Sequence, residues 1–154
     1  MSRRKTTLLN ILSGRANSGT VVGDILTNSR PFLGMKIGNS MADNESPSYA
    51  YVMQDDVHCA VLTVRETLEF AAMLRLRDCK VSAVADMVDE IMGILGLKGV
   101  ADCYVGTVGN TSMSRGQIRR LTVGVEIVLS PSMIFLDEPT TGKGTISIPL
   151  TWLK

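Results

Sequence analysis

The sequence lacks the cysteine pattern of a disulfide framework or a zinc site. Its 154 residues include three cysteines, Cys59, Cys79 and Cys103, which lie far apart and form no Cys-x-x-Cys pair. An odd number of widely spaced cysteines argues against both kinds of cross-link. A reducing, cytosolic setting therefore fits the chain best.

Strong net charge, aromatic clusters and long hydrophobic runs are also missing. Sixteen Lys and Arg balance fifteen Asp and Glu, and aromatic residues make up 5% of the chain. Without a charge excess or basic patches interleaved with aromatics, the chain is not expected to bind nucleic acid. No apolar run reaches the roughly 20 residues of a membrane-spanning helix, so we expect no membrane insertion. The 45% of hydrophobic residues is enough for the core of one domain.

The first chemical motif lies at the amino end. Lys5-Thr6-Thr7 precedes a short apolar run over 8–12, and a lysine followed by a hydroxyl residue and an apolar helix is typical of the end of a phosphate-binding loop. The same segment is basic, with no acidic residue before Asp24, and can also be read as a mitochondrial presequence. We prefer the phosphate loop because it explains the order of the residues as well as their composition.

Short strands are predicted near both ends of the chain. Apolar runs indicate strands over 20–26, 31–37 and 49–53, and the last of these is followed directly by Gln54. Residues 133–136 are four apolar residues that end on two acids, Asp137 and Glu138. A buried parallel strand with carboxylates at its carboxyl end is typical of the ligand-binding edge of an α/β sheet.

Helices are predicted over the middle of the chain. Thr63–Glu66 and Ser114–Gln117 both have the spacing of a capping box, which marks the start of a helix. Apolar spacing predicts another helix over 82–97. We therefore divide the chain into an α/β core, residues 1–62 and 130–154, and a helical subdomain, residues 63–129.

Basic and titratable residues near these helices receive simpler interpretations. Arg115, Arg119 and Arg120 form a basic cluster just after Ser114. Because no aromatics are interleaved with them, we interpret the cluster as a solvated helix face or a phosphate contact. His58, the single histidine, is predicted to be a surface residue.

The order of these motifs resembles the nucleotide-binding domain of an ABC transporter, most closely of the G subfamily. The resemblance is carried by KTTLLNILSGR, YVMQDD, LTVRETLEFAAMLRLR and the segment from Val100 to Gly142. It implies an α/β, P-loop NTPase-like parallel sheet with a helical subdomain. Here we expect that fold to be incomplete and truncated at both ends, because the strand and most of the glycine loop that precede the lysine in the family are not in the sequence.

The resemblance also implies ATP and Mg²⁺ as ligands. By this analogy Lys5, Thr6 and Thr7 would bind phosphate, with the Thr6 hydroxyl on the metal as well. Asp137 would hold the metal through water, Glu138 would be the general base, and Gln54 would reach the metal or the attacking water. Gln54 can also be read as an ordinary polar loop residue.

The second implied ligand site is the family's signature helix. Ser114, Gly116 and Gln117 match its start, which in the family faces the ATP bound to the opposite domain of a head-to-tail dimer. A capping role for Ser114 is compatible with this. The implied partners are a second nucleotide-binding domain and a transmembrane domain, with the chain on the cytoplasmic side of a membrane.

Departures from the family pattern bear on activity. Arg4 and Ser2 stand where the phosphate loop has glycines, and Arg115 replaces the first glycine of the signature. The loop after Pro139 reads Thr141-Gly142-Lys143-Gly144 and lacks the family's acid. Glycines allow positive φ and close approach of the backbone to phosphate, so we expect weak ATP binding and little or no hydrolysis.

The motifs and their departures leave three candidate functions. The first is an ATPase domain that drives export of lipids or other apolar compounds, impaired in this chain. The second is a non-catalytic interaction module, whose helical part pairs with a complete transporter domain. The third, a different P-loop enzyme such as a small-molecule kinase, leaves the Ser-x-Gly-Gln helix unexplained.

Overall fold

The structure is a computed structural model that describes residues 3–16, 18–27, 30–31, 49–76, 80–106, 113–131 and 133–137. In these ranges the helices are α1 (Arg3–Leu12), α2 (Val64–Arg75), α3 (Val81–Ile94) and α4 (Arg115–Ile127), with a short 3₁₀ turn at Lys98–Val100. The strands are β1 (Leu26–Thr27), β2 (Arg30–Pro31), β3 (Tyr49–Val52) and β4 (Met133–Leu136). None of the helices in these ranges has the length and apolarity needed to span a bilayer.

A parallel pair of strands confirms the predicted sheet edge. β3 and β4 run parallel, with Tyr49 opposite Met133 and Val52 opposite Leu136. The backbone N–H of Asp137 donates to the carbonyl of Val52 at 3.2 Å, so the pairing extends one residue past β4. This register brings the residues that follow both strands to the same carboxyl edge.

The core is formed by helices α2, α3 and α4 together with β3. Helix α2 contacts both α3 and α4, and α4 contacts β3. Helix α2 buries one apolar face, formed by Val64, Leu68, Ala71 and Ala72. Other fully buried members of the core are Val52, Val88, Ile91, Met92, Leu97, Leu121 and Val123. Burial of each large aliphatic side chain contributes about 1.5–3 kcal/mol, so these helices carry much of the folding free energy.

Both predicted capping boxes are present. Thr63 Oγ1 accepts from the Glu66 backbone N–H at 3.2 Å, and Glu66 Oε2 accepts from the Thr63 N–H at 2.8 Å. The same reciprocal pair joins Ser114 and Gln117, at 3.2 Å and 2.7 Å. These bonds satisfy amides that have no partner inside the helix, which is why α2 and α4 begin where the sequence predicts.

The first predicted strand, over 20–26, is mostly wrong. Only its last residue is in a strand, because Leu26–Thr27 pairs antiparallel with Arg30–Pro31. Gly23 takes a φ of 121°, and Val22 is 93% exposed, so this apolar run is interrupted and is not part of the core. The predicted strand over 31–37 is described only at residue 31.

Helix boundaries also differ from the predicted ones. Helix α1 begins at Arg3, so Lys5 and Thr6 lie inside the helix and not at the start of a later one. Helix α3 ends at Ile94, before the predicted residue 97, because Gly96 takes a left-handed φ of 62° that ends the helical path. The proposed division into an α/β core and a helical subdomain stays a prediction.

Candidate functional site

The residues of the predicted phosphate loop lie in the first two turns of α1. Lys5 and Thr7 are exposed and Thr6 is half-buried. One contact between this part of the chain and β3 lies just past the helix, where the Tyr49 hydroxyl donates to the Ser13 carbonyl. Phosphate binding by Lys5, Thr6 and Thr7 stays a prediction.

The carboxyl edge of the sheet brings two other predicted residues close in space. Gln54 follows β3 and is exposed, whereas Asp137 follows β4 and is only 3% exposed. Because β3 and β4 are parallel and in register up to Val52 and Leu136, both residues leave the sheet at the same edge. Glu138 lies outside the described residues, so its role as general base stays a prediction.

Arg119 belongs to α4, the predicted signature helix, and connects that helix to this sheet edge. Its Nη1 donates to the Met53 carbonyl and, at 2.9 Å, to Asp56 Oδ1. Its Nη2 donates to the Asp137 carbonyl at 3.0 Å. The interpretation of Arg119 as part of a solvated helix face is wrong, since it is 8% exposed, whereas a phosphate contact by the basic cluster stays a prediction. Backbone carbonyls at the strand ends need donors, and the planar guanidinium supplies several at once.

The polar network of Arg119 extends through Asp56 to Thr122 and His58. The Thr122 hydroxyl donates to Asp56 Oδ1 at 2.6 Å, and His58 Nε2 lies 2.9 Å from Thr122 Oγ1. His58 is therefore half-buried, and its prediction as a surface residue is wrong. Burial lowers the pKa of His58 below its ordinary value of 6.5, and the nearby Asp56 carboxylate only partly opposes that.

Tyr51 lies next to the Asp137 carboxylate. Burial raises the pKa of the Tyr51 phenol above 10.0, the negative charge of Asp137 raises it further, and Arg15 opposes the rise. The phenol also hydrogen-bonds Asp137. The Arg15 guanidinium lies 4.7 Å from the centre of the Tyr51 ring, a cation–π distance. Arg15, three residues after the end of α1, therefore contacts Tyr51, and Tyr51 lies next to the predicted metal ligand Asp137.

Asp137 has the oxygen-ligand chemistry that Mg²⁺ prefers. Within the described ranges no group of three or more His, Cys, Asp or Glu side chains could hold a metal ion. Mg²⁺ commonly uses one or two carboxylates and takes its remaining ligands from water and phosphate oxygens. A single buried aspartate, Asp137, matches that requirement.

The predicted signature residues form the first turn of α4. Ser114 is the N-cap and Arg115 is exposed, while Gly116 and Gln117 are half-buried. The N-terminus of a helix is electropositive and suits a phosphate. Ser114 thus has the capping role predicted for it, whereas contact of this turn with nucleotide stays a prediction.

A parallel strand pair with an acid at its carboxyl edge, and helices between the two strands in the chain, is consistent with an incomplete α/β domain. The sequence model described as ABC transporter matches residues 5–141. The chain belongs to the ABC transporter family. This confirms the family that the sequence motifs predicted.

Curated relatives agree with the predicted G subfamily. The chain is 40% identical over 139 residues to ABC transporter G family member 45 of Oryza sativa subsp. japonica, and equally to the broad substrate specificity ATP-binding cassette transporter ABCG2 of Rattus norvegicus. It is 39% identical over 140 residues to the ATP-dependent permease PDR12 of Saccharomyces cerevisiae. Each match covers 90% of this chain but only 10%, 20% and 9% of the respective relative.

Proposed function

We propose that this chain is part of the ATP-binding domain of a G-subfamily ABC transporter, in which ATP hydrolysis drives export of lipids or other apolar compounds. One observation carries the proposal. The loop that holds Gln54, the strand end that holds Asp137 and the signature helix are joined through the Arg119 guanidinium. Three motifs that are far apart in the sequence thus form one connected unit.

Each predicted residue has a chemical task in this proposal. The Lys5 ammonium and the hydroxyls of Thr6 and Thr7 bind phosphate oxygens. Asp137 would hold Mg²⁺, and the ion would supply charge neutralisation at the phosphates. Glu138 accepts a proton from the attacking water, which Gln54 orients.

The proposed partners follow from the signature helix and the relatives. Ser114, Gly116 and Gln117 face the γ-phosphate of ATP bound to a second nucleotide-binding domain, arranged head to tail with this one. The relatives named above are transporters or a permease. We therefore include a transmembrane domain among the partners and place this chain at the cytoplasmic face of a membrane.

Hydrolysis by this chain is proposed to be weak. Arg4 and Ser2 replace glycines of the family's phosphate loop, and Arg4 is already inside α1. Arg115 replaces a glycine at the start of α4 and is exposed there. Side chains at these positions take up space where the family's glycines let backbone amides approach phosphate.

Binding of a fluorescent ATP analogue tests the proposal. We expect weak, saturable binding that Lys5→Met abolishes, because the substitution removes the charge that contacts phosphate. Asp102→Asn, an exposed acid away from the site, is the matched control and should bind as the original chain does. Equal binding by Lys5→Met would rule out the phosphate site. ATP turnover that falls when Glu138 is changed to Gln would contradict the proposed impairment.

A non-catalytic interaction module is the second candidate, and exposed apolar residues on α2 favour it. Phe70, Met73 and Leu74 are 57%, 52% and 70% exposed on one helix. Capture of a complete transporter nucleotide-binding domain without nucleotide, lost in Leu74→Lys, would support this role. Capture that depends on ATP and on Lys5 would support the first proposal.

A further inference from the structure

We propose that Arg119 is a positioning residue, which makes the placement of Gln54 and Asp137 depend on the position of helix α4. The effect of Arg119 on catalysis rests on the proposed function, whereas its positioning of Gln54 and Asp137 is a property of the chain without ligand. The inference comes from the hydrogen bonds of one buried guanidinium.

The two terminal nitrogens of Arg119 serve two different segments. Nη1 donates to the carbonyls of Met53 and, at 3.4 Å, Gln54, whereas Nη2 donates to the carbonyl of Asp137 at 3.0 Å. Arg119 itself belongs to α4. One rigid group therefore sets the spacing between the loop after β3, the end of β4 and the signature helix.

A guanidinium is required for this arrangement. Its nitrogens are held in one plane by resonance, so the separation between the two sets of carbonyls is built into the side chain. A lysine ammonium has a single nitrogen and cannot contact Met53 and Asp137 in the same way. Substitution by lysine would keep the charge and lose the link.

Asp56 gives α4 a second attachment to the same loop. Asp56 Oδ1 accepts from Arg119 Nη1 at 2.9 Å and from the Thr122 hydroxyl at 2.6 Å. Arg119 and Thr122 lie one turn apart on the same face of α4, because residues three apart are neighbours on a helix. Two points on α4 thus hold the 53–56 loop, and a shift of the helix must move that loop.

The inferred consequence is a link between two ligand-binding regions. Ser114 lies at the start of α4, and Arg119 follows it in the same helix. A ligand that contacts α4 near Ser114 would therefore change the positions of Gln54 and Asp137 by changing the orientation of Arg119. This link lies within one chain and does not require the second domain.

Hydrogen–deuterium exchange of the apo chain tests the positioning role. In Arg119→Lys we expect the amide of Asp137, which donates to the Val52 carbonyl at 3.2 Å, to exchange at least about tenfold faster, because the charge-assisted bond to the Asp137 carbonyl is lost. The matched control is Arg120→Lys, since Arg120 donates to the carbonyl of Leu95 at 2.7 Å and not to the loop. Unchanged exchange in Arg119→Lys, or a uniform increase over α2, α3 and α4, would overturn the proposal.

Asp56→Asn is a second variant that preserves side-chain size. We expect it to increase exchange of the same Asp137 amide and to add little when combined with Arg119→Lys, because both changes break one network. Fully additive effects of the two substitutions would contradict the shared role.

Binding of the ATP analogue with and without Mg²⁺ provides the functional readout. The expected result for Arg119→Lys is loss of the Mg²⁺-dependent gain in affinity, with Mg²⁺-free binding unchanged, whereas Arg120→Lys keeps both. Equal loss with and without Mg²⁺ would overturn a specific role at Asp137. If the original chain bound no nucleotide while the exchange result held, the proposed function would fail and the positioning role would stand.

Discussion

Gly124 of α4 lies directly against Leu68 of α2. A Cβ atom at position 124 would stand 3.0 Å from Leu68 Cδ2 and 3.0 Å from Leu95 Cδ1. Both leucines are almost fully buried, so neither can move away easily. The absence of a side chain at this position allows α4 to approach the core closely.

Gly124→Ala is predicted to destabilise the chain. Alanine favours a helix over glycine by about 1 kcal/mol, but overpacking in a core costs about 1–3 kcal/mol. Two close contacts in a packed core make the second effect larger, so we expect a net loss of roughly 1–2 kcal/mol of unfolding free energy in urea denaturation. The control is Gly99→Ala, where the new Cβ meets open space and no such loss is expected.

Substitutions at Ser114 separate its capping role from its proposed ligand role. Ser114→Ala removes the acceptor for the Gln117 amide and should lower the unfolding free energy by about 1 kcal/mol. Ser114→Asp keeps a capping oxygen, so stability should stay near that of the original chain, but its charge would repel phosphate. We expect both variants to lose ATP-dependent association with a complete partner domain, as measured by sedimentation. Association retained in Ser114→Asp would argue against contact with phosphate.

Stability is predicted to fall on mild acidification because of His58. Burial lowers its pKa in the folded chain, so the unfolded chain binds a proton near the ordinary value of 6.5 while the folded chain does so only at lower pH. The free energy of unfolding should therefore decrease as pH falls from 8 to 5.5. His58→Gln should flatten this dependence. The capping carboxylate of Glu66 has a lowered pKa and stays ionised throughout this range, so it does not contribute to the pH dependence. An equal slope in the original chain and in His58→Gln would contradict the assignment of the pH dependence to His58.

Restoring glycines in the predicted phosphate loop should strengthen nucleotide binding. The double variant Ser2→Gly, Arg4→Gly returns the backbone freedom that the family has at these positions. We expect the fluorescent ATP analogue to bind more tightly, because glycine lets the backbone amides approach phosphate. Ser2→Ala, Arg4→Ala is the matched control, since it removes bulk and charge but not the conformational restriction. Equal affinity of the two double variants would show that the backbone is not limiting.

Features set by neighbouring residues could be predicted from the sequence. The capping boxes at Thr63 and Ser114 depend on a partner three residues away, and β4 is recognisable as four apolar residues before Asp137. Such patterns determine local structure independently of the contacts that the rest of the chain makes. For this reason the starts of α2 and α4 and the acid at the sheet edge were correctly predicted.

Features that depend on distant backbone could not be predicted in the same way. Arg119 binds carbonyls of Met53 and Asp137, and a carbonyl has no signature in a sequence. His58 is half-buried and contacts Thr122, which is distant in the chain. One signal was available for Arg119, which lies four residues before the buried Val123 and hence on the inner face of α4.

The pairing of β3 with β4 has a consequence for the order of folding. All three core helices lie between these strands in the chain, so closing the sheet early would carry the entropy cost of a long loop. Local helical contacts form faster than such non-local pairings. During synthesis on a ribosome, α2, α3 and α4 can therefore assemble while β3 still awaits its partner, and the sheet edge that holds Gln54 and Asp137 is completed last.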